Sequence, residues 1–345
     1  MNKSELRSVA QAMVAPGKGI LAADESSGTI KKRFDAIKVE SSEENRRFYR
    51  EILFTAKGCE KHISGVILYD ETIRQKNSDG TPFPKLLADK GILPGIKVDT
   101  GAKDLTNFAG EKITEGLDGL RERLIEYRAL GAKFAKWRAV IDIDTTKGIP
   151  SDHALASNAE ALARYAALCQ ENGIVPIVEP EVLMDGAHDL ETCYDVTCRT
   201  LHVVFDHLFR ARIELEGMIL KPNMVIAGKK AKTQGTTDEI ARRTVDCFRR
   251  HVPAAVPGIV FLSGGQSEEE ATRNLNAMNA LGKHPWELSF SYGRALQQST
   301  LDAWHGNVKN KDAAQKAYVH RCQMNGLARS GKYKPEMEKE LVGSK

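Results

Sequence analysis

Gly217-Met218-Ile219-Leu220-Lys221-Pro222-Asn223-Met224 sets a lysine at the close of a short apolar run. A run entered at glycine and left at proline reads as a strand buried in a parallel sheet, since it is too short for a helix. Pro222 biases Lys221 toward extended backbone and offers no amide donor, so the strand stops there and delivers an amine to its C-terminal end. Burial and neighbouring cations lower a lysine pKa, and a neutral amine can attack a carbonyl to form an imine. The stretch equally accommodates a strand-end lysine whose ammonium snorkels into water. A strand that ends in a polar group is the unit whose repetition decides the fold.

The unit recurs on both sides of this stretch. Downstream, Gly258 to Leu262 ends at Ser263-Gly264-Gly265, and Trp286 to Phe290 ends at Ser291-Tyr292-Gly293-Arg294. Upstream, Gly173 to Val178 ends at Glu179-Pro180-Glu181, although Pro176 costs that strand a ladder hydrogen bond. Ala132 to Val140 alternates with Phe134, Lys136 and Arg138 on one face and Ala135 and Trp137 on the other. A turn at Pro94-Gly95 introduces Ile96 to Asp99, with Lys97 and Asp99 sharing a face. Ser64 to Tyr69 ends at Asp70-Glu71-Thr72, and Gly19 to Ala23 ends at Asp24, Glu25 and Ser26.

Helical periodicity fills the intervals: 4–15 with Ser4 as cap, through Arg33, 42–58, 117–127 stopped by Gly131, 151–172, 188–212, 237–251, a helix opened by Ser267, and 295–330. Eight strands alternating with helices predict a closed (β/α)8 TIM barrel. Right-handed strand-helix-strand units around eight strands return to their start. A doubly wound open sheet is disfavoured, because no G-x-G-x-x-G follows the first strand and polar groups end nearly every strand. The reading is one barrel domain over 1–345, with an N-terminal helix, a C-terminal helical extension and a charged, loose tail over about 331–345.

Composition narrows the class. The chain of 345 residues has 50 basic and 46 acidic side chains, a formal charge of +4, and 6% aromatic residues. Without a long basic tract or stacking platforms, nucleic acid is not an expected partner. No apolar run spans a bilayer and no secretory leader opens the chain, which predicts a cytoplasmic protein without a membrane partner. The cysteines, Cys59, Cys169, Cys193, Cys198, Cys247 and Cys322, form no C-x-x-C pair and suit reduced thiols. The nine histidines include no H-x-H or H-E-x-x-H, so neither a metal nor another cofactor is expected.

A barrel gathers its strand ends at one rim. There Gly264, Gly265 and Gly293 let backbone amides approach an anion, the following helix contributes its positive end, and Arg294 offers a bidentate phosphate contact. Lys97, Arg138 and the group Ser26, Thr29 and Arg33 supply a second anion site. Lys136 beside Lys221 would depress the nucleophile's pKa, and the nearby carboxylates would move protons. Taken singly, each residue also reads as a surface charge, a cap or a tight turn.

The motifs together resemble the class I, Schiff-base fructose-bisphosphate aldolases over nearly the whole chain, to about Tyr333. They are Gly-Ile-Leu-Ala-Ala-Asp-Glu-Ser at 19 to 26, Glu-Glu-Asn-Arg-Arg-Phe-Tyr-Arg at 43 to 50, Gly-Ile-Lys-Val-Asp at 95 to 99 and Lys-Trp-Arg at 136 to 138. Val-Pro-Ile-Val-Glu-Pro-Glu at 175 to 181, Leu-Lys-Pro-Asn-Met at 220 to 224, Phe-Leu-Ser-Gly-Gly-Gln-Ser-Glu-Glu-Glu at 261 to 270 and Phe-Ser-Tyr-Gly-Arg-Ala-Leu-Gln at 290 to 297 complete the set.

The resemblance implies reversible cleavage of fructose 1,6-bisphosphate into dihydroxyacetone phosphate and glyceraldehyde 3-phosphate, in glycolysis, gluconeogenesis or carbon fixation. It implies that Lys221 forms the imine, that Glu179 is the general acid/base with Glu181 and Lys136 assisting, and that Asp24 takes the C4 hydroxyl proton. Ser263, Gly264, Gly265, Gly293 and Arg294 would hold the ketose-end phosphate, and Ser291 would be a further substrate-binding residue. Lys97, Arg138, Ser26, Thr29 and Arg33 would serve the other end, with Thr29 where serine is common. The partner implied is a phosphorylated sugar, and the assembly a homotetramer. Many relatives carry a longer tail ending in tyrosine, whereas this chain stops at Val342-Gly343-Ser344-Lys345. Two alternatives remain open at this point: another phosphosugar barrel enzyme, such as a metal-dependent aldolase or an isomerase, and a non-catalytic binding protein.

Overall fold

Period-two alternation, repeated on eight parallel strands, closes the sheet into a barrel. In the computed structural model, which describes residues 2–341, the strands are β1 (Gly19–Ala23), β2 (Ile63–Leu68), β3 (Leu93–Lys97), β4 (Phe134–Ile141), β5 (Val175–Val182), β6 (Ile219–Leu220), β7 (Gly258–Phe261) and β8 (Glu287–Tyr292). Each pairs with the next and β8 returns to β1. Ile20, Ala22, Ile67, Phe134, Val175, Ile177, Ile219 and Val260 fill the interior. Their neighbours in sequence, among them Leu21, Ala23, Ala135, Trp137, Val178 and Leu220, pack outward against the helices. Continuing the inward parity past each apolar layer leads to Asp24, Lys97, Lys136, Arg138, Glu179, Glu181 and Lys221. The alternation that builds the core therefore also loads the rim.

The opposite end is closed. The helix Lys3–Met13 lays Leu6, Ala10 and Met13, with Val14 beyond it, against the interior residues. A Cβ on Gly258, where β7 begins, would meet the Val14 side chain at 2.4 Å. Asn2, not Ser4, caps this helix by accepting from the Glu5 amide at 3.3 Å. Other caps fall at the expected residues: Ser42, Ser151 and Ser267 each accept from the third amide onward, and Ser267 forms a capping box with Glu270.

Several expectations change. Pro94-Gly95 lies inside β3 instead of forming a turn before it. The Phe134 ring explains the glycine, since a Cβ at 95 would sit 2.2 Å from it and one at Gly65 2.9 Å away. Close approach, not chain reversal, requires glycine there. Only Ile219 and Leu220 form β6, yet the Lys221 amide still donates to Val178 at 2.8 Å. β5 runs on through Glu179-Pro180-Glu181, so these carboxylates stand on a strand and not in a loop.

An antiparallel hairpin of Gly101–Asp104 with Lys112–Glu115 follows β3, its Ala102 and Ile113 too isolated among glycine and polar residues to carry a strand signature. Two short helices, Asp70–Arg74 and Phe83–Asp89, likewise escaped the periodicity. The C-terminal helical stretch is two helices, Arg294–Trp304 and Lys311–Ala328, separated where His305 and Gly306 take positive φ.

Residues 331–341 are anchored and not loose. Tyr333 is buried, its amide donates to Asn276 at 2.9 Å, and its hydroxyl donates to Glu338 at 2.9 Å. Glu338 is also ion-paired with Arg321, and its Oε2 lies 3.2 Å from His320 Nε2. The final four residues, Val342 to Lys345, lie outside the described residues. Among the described residues all six cysteines are free and buried, and no helix is long and apolar enough to cross a membrane.

Candidate active site

Four ionisable side chains, Asp24 partly buried and the other three buried, alternate base and acid at the C-terminal rim of the barrel. Lys221, at the end of β6, places Nζ 3.1 Å from Glu179 Oε1 on β5. Glu179 Oε2 lies 3.2 Å from Lys136 Nζ on β4, and Lys136 reaches Asp24 Oδ2, just beyond β1, at 2.7 Å. The order Lys221, Glu179, Lys136, Asp24 runs around the mouth from strand to strand. Asn223 fixes the segment that carries Lys221: it accepts from the Val182 amide at 3.0 Å and donates to Thr197 at 3.1 Å.

The charges set one another. Burial alone would raise the Asp24 carboxyl, but Lys136, Lys221 and Lys97 outweigh it and hold Asp24 well below the usual carboxylate range. Glu179 is also lowered, its burial overcome by Lys136, Lys221 and Arg138. Burial opposes the charge on Lys136, yet Asp24, Glu179 and Asp99 raise its pKa. At neutral pH the carboxylates are anions and Lys136 is a cation. Glu179 stands between Lys136 and Lys221 and contacts both amines.

A depressed carboxylate contributes stability that is complete above its unfolded pKa and fades as pH falls through the folded value. The unfolding free energy of the protein minus that of Asp24→Asn is therefore expected to shrink as pH drops below about 4. Urea unfolding of both proteins across that range measures it, and a constant difference would contradict the assigned ionisation.

Glu179 Oε2 has no directed hydrogen bond from any described residue, despite its ionic contact. Ser291 Oγ is likewise buried without a partner among the described residues. Both oxygens belong to residues lining one cavity of about 760 Å³ above the apolar interior. Every site residue expected from the sequence lines that cavity.

Ser263, Gly264, Gly265, Ser291, Gly293 and Arg294 form one wall, after β7 and β8. Gly265 has φ +77°, and a Cβ on Gly264 would meet Met184 at 2.2 Å, so backbone alone can form this turn. Arg294 begins a helix and donates to the Gln266 carbonyl at 3.2 Å. Its guanidinium and the amides of the turn make a cradle suited to phosphate.

The cations of the other wall are each held by an acid. Lys97 donates to Asp99 at 2.5 Å, Arg138 is ion-paired with Glu181, and Arg33 with Glu25. Ser26 and Thr29 stand beside them, with their hydroxyl oxygens 3.1 Å apart. Asp99 and Glu25 were not singled out from sequence as site residues. Asp99 shares the inward parity of Lys97, which was a readable signal. Glu25 also accepts from Arg50 at 2.6 Å and from Gln297 at 2.9 Å, contacts across the fold that spacing does not disclose. Lys229, from the polar loop after β6, lines the cavity too, and no pattern in the sequence marks it. Among the described residues no three His, Cys, Asp or Glu side chains gather as a metal site.

Comparison with known proteins agrees with this geometry. Residues 5–345 match the family model described as fructose-bisphosphate aldolase class-I. A probable fructose-bisphosphate aldolase class 1 of Xanthomonas campestris pv. campestris is 57% identical over 97% of this chain and 100% of its own length. The non-muscle-type fructose-bisphosphate aldolase of Lethenteron camtschaticum is 56% identical, covering 96% of this chain and 92% of that protein. The solved fructose-bisphosphate aldolase of Plasmodium falciparum, in a ternary complex with TRAP and a small-molecule inhibitor, superposes with a TM-score of 0.95 at 54% identity, covering 96% of each chain. The chain belongs to the class I fructose-bisphosphate aldolase family and is a carbon-carbon lyase.

Proposed function

We propose that Lys221 is the imine-forming residue in the reversible cleavage of fructose 1,6-bisphosphate to dihydroxyacetone phosphate and glyceraldehyde 3-phosphate. The observation that supports this most is the buried Lys221 amine 3.1 Å from Glu179, itself 3.2 Å from Lys136. Lys221 Nζ attacks the ketone carbon C2. Glu179, an anion at rest, takes a proton from the attacking nitrogen and returns one to the departing hydroxyl, which leaves as water. Its Oε1, 3.1 Å from Lys221 Nζ, is the oxygen placed for that exchange. Glu181 and Lys136 assist, Lys136 by holding both carboxylates in place.

The protonated imine then accepts the electron pair of the C3–C4 bond. Asp24 takes the C4 hydroxyl proton as that bond breaks and the aldehyde forms. An anion stabilised by lysines is a weak base, so proton transfer accompanies bond cleavage instead of preceding it. Protonation of the enamine at C3 and hydrolysis of the imine release the ketone and restore Lys221. The wall of Ser263, Gly264, Gly265, Ser291, Gly293 and Arg294 takes the ketose-end phosphate, and Lys97, Arg138, Ser26, Thr29 and Arg33 the other. A homotetramer belongs to the same reading and rests on the family resemblance alone.

Borohydride reduction in the presence of dihydroxyacetone phosphate tests the assignment. A reduced three-carbon phosphate adduct is expected on Lys221 by peptide mass spectrometry, with turnover unaffected by chelator. An adduct on another lysine, or turnover abolished by chelator, would overturn it.

A further inference from the structure

We propose that Lys229 is an additional ligand of the ketose-end phosphate, a cation that leaves Asp185 and closes over the anion when substrate binds. The inference rests on the reading that Ser263, Gly264, Gly265 and Arg294 hold that phosphate.

The loop carrying Lys229 is fixed at its backbone while its side-chain end is free to move. The Lys229 amide donates to Met184 at 2.7 Å, and the amides on either side donate to His188 at 2.8 Å and Gly186 at 3.0 Å, zipping this loop to the one after β5. From that base the side chain runs beside the phosphate turn: a Cβ on Gly265 would lie 3.2 Å from Lys229 Cε. The ammonium bonds Asp185 Oδ1 at 2.7 Å, at side-chain exposures of 48% and 59%.

An ion pair this exposed is weak, since water competes for both partners. A phosphate dianion held against Gly265 offers more charge and three acceptor oxygens, in a setting where charge-assisted bonds are stronger. With Cε already alongside the turn, rotation about the terminal side-chain bonds carries Nζ toward the anion without moving the backbone. Asp185 acts as a resting partner that competes with substrate for the same ammonium.

The phosphate does not change during the reaction, so a contact to it supports ground state and transition state alike and acts on KM. Steady-state kinetics with fructose 1,6-bisphosphate and fructose 1-phosphate test this. Lys229→Met is expected to raise KM roughly fivefold for both substrates with kcat nearly unchanged, and Lys229→Arg to restore most of the loss. Asp185→Asn is expected to lower KM about twofold, and to lose that effect in the Lys229→Met background. Unchanged KM in Lys229→Met, a rise confined to the bisphosphate, or an Asp185→Asn effect that persists without Lys229 would overturn the proposal. Arg294→Gln separates it from the underlying reading. If that substitution leaves KM for fructose 1-phosphate unchanged, the ketose-end phosphate lies elsewhere. If it raises KM while Lys229→Met does not, only the role of Lys229 fails.

Discussion

Replacing Lys221 by methionine is expected to reduce turnover of fructose 1,6-bisphosphate by roughly 10⁵-fold or more while leaving the fold intact. Methionine fills the space of the lysine stem, and the Lys221 amide keeps its bond to Val178 at 2.8 Å. What disappears is the electron sink, without which the C3–C4 bond has no low-energy path to break. Lys136 offers no substitute amine, because Asp24 and Glu179 raise its pKa and keep it charged. Purified Lys221→Met assayed for cleavage, with circular dichroism as the folding control, checks this. Activity within tenfold of the unmodified protein would remove Lys221 from the mechanism.

The second large effect belongs to Glu179→Gln. The amide preserves shape but can neither accept the proton released when Lys221 attacks nor deliver one to the leaving hydroxyl. A fall in kcat of about 10²- to 10⁴-fold is expected, with KM much less affected. The loss falls on imine formation, so the borohydride-trapped adduct should accumulate slowly in single-turnover experiments. Glu181 does not take over, because its carboxylate is ion-paired with Arg138. Trapping at an undiminished rate would transfer the proton-handling role away from Glu179.

Both predictions depend on residues that were visible in the sequence, for a physical reason. A barrel strand has two alternating faces, and parity alone assigns Lys136 and Arg138 to the face that holds Phe134, and Glu181 to the face of Glu179. Once eight such strands close, their ends converge, and residues far apart in the chain become neighbours. What parity does not convey is which cation bonds which anion. The position of Glu179 between Lys221 and Lys136 follows from how β4, β5 and β6 pair, which no single strand reveals.

Elsewhere the local signals were ambiguous. Pro94-Gly95 resembles a turn because its glycine answers to the distant Phe134 ring, a contact no local rule contains. The hairpin at Gly101–Asp104 and Lys112–Glu115 carries polar residues on both strands and so lacks the alternation by which strands are read. Lys229 sits in a loop, where backbone contacts to Met184 determine its position and periodicity has no meaning.

The helix Lys3–Met13, laid across the floor of the barrel, makes the molecule a cup and not a pipe. A cup has no through-flow, so whatever enters by the rim must also leave by it. With Lys221 as the imine-forming residue proposed above, the aldehyde fragment would be held without a covalent bond while the ketose fragment stayed tethered to Lys221. On the proposed mechanism glyceraldehyde 3-phosphate would depart first, and dihydroxyacetone phosphate would follow once water, arriving by the same opening, had cut its tether.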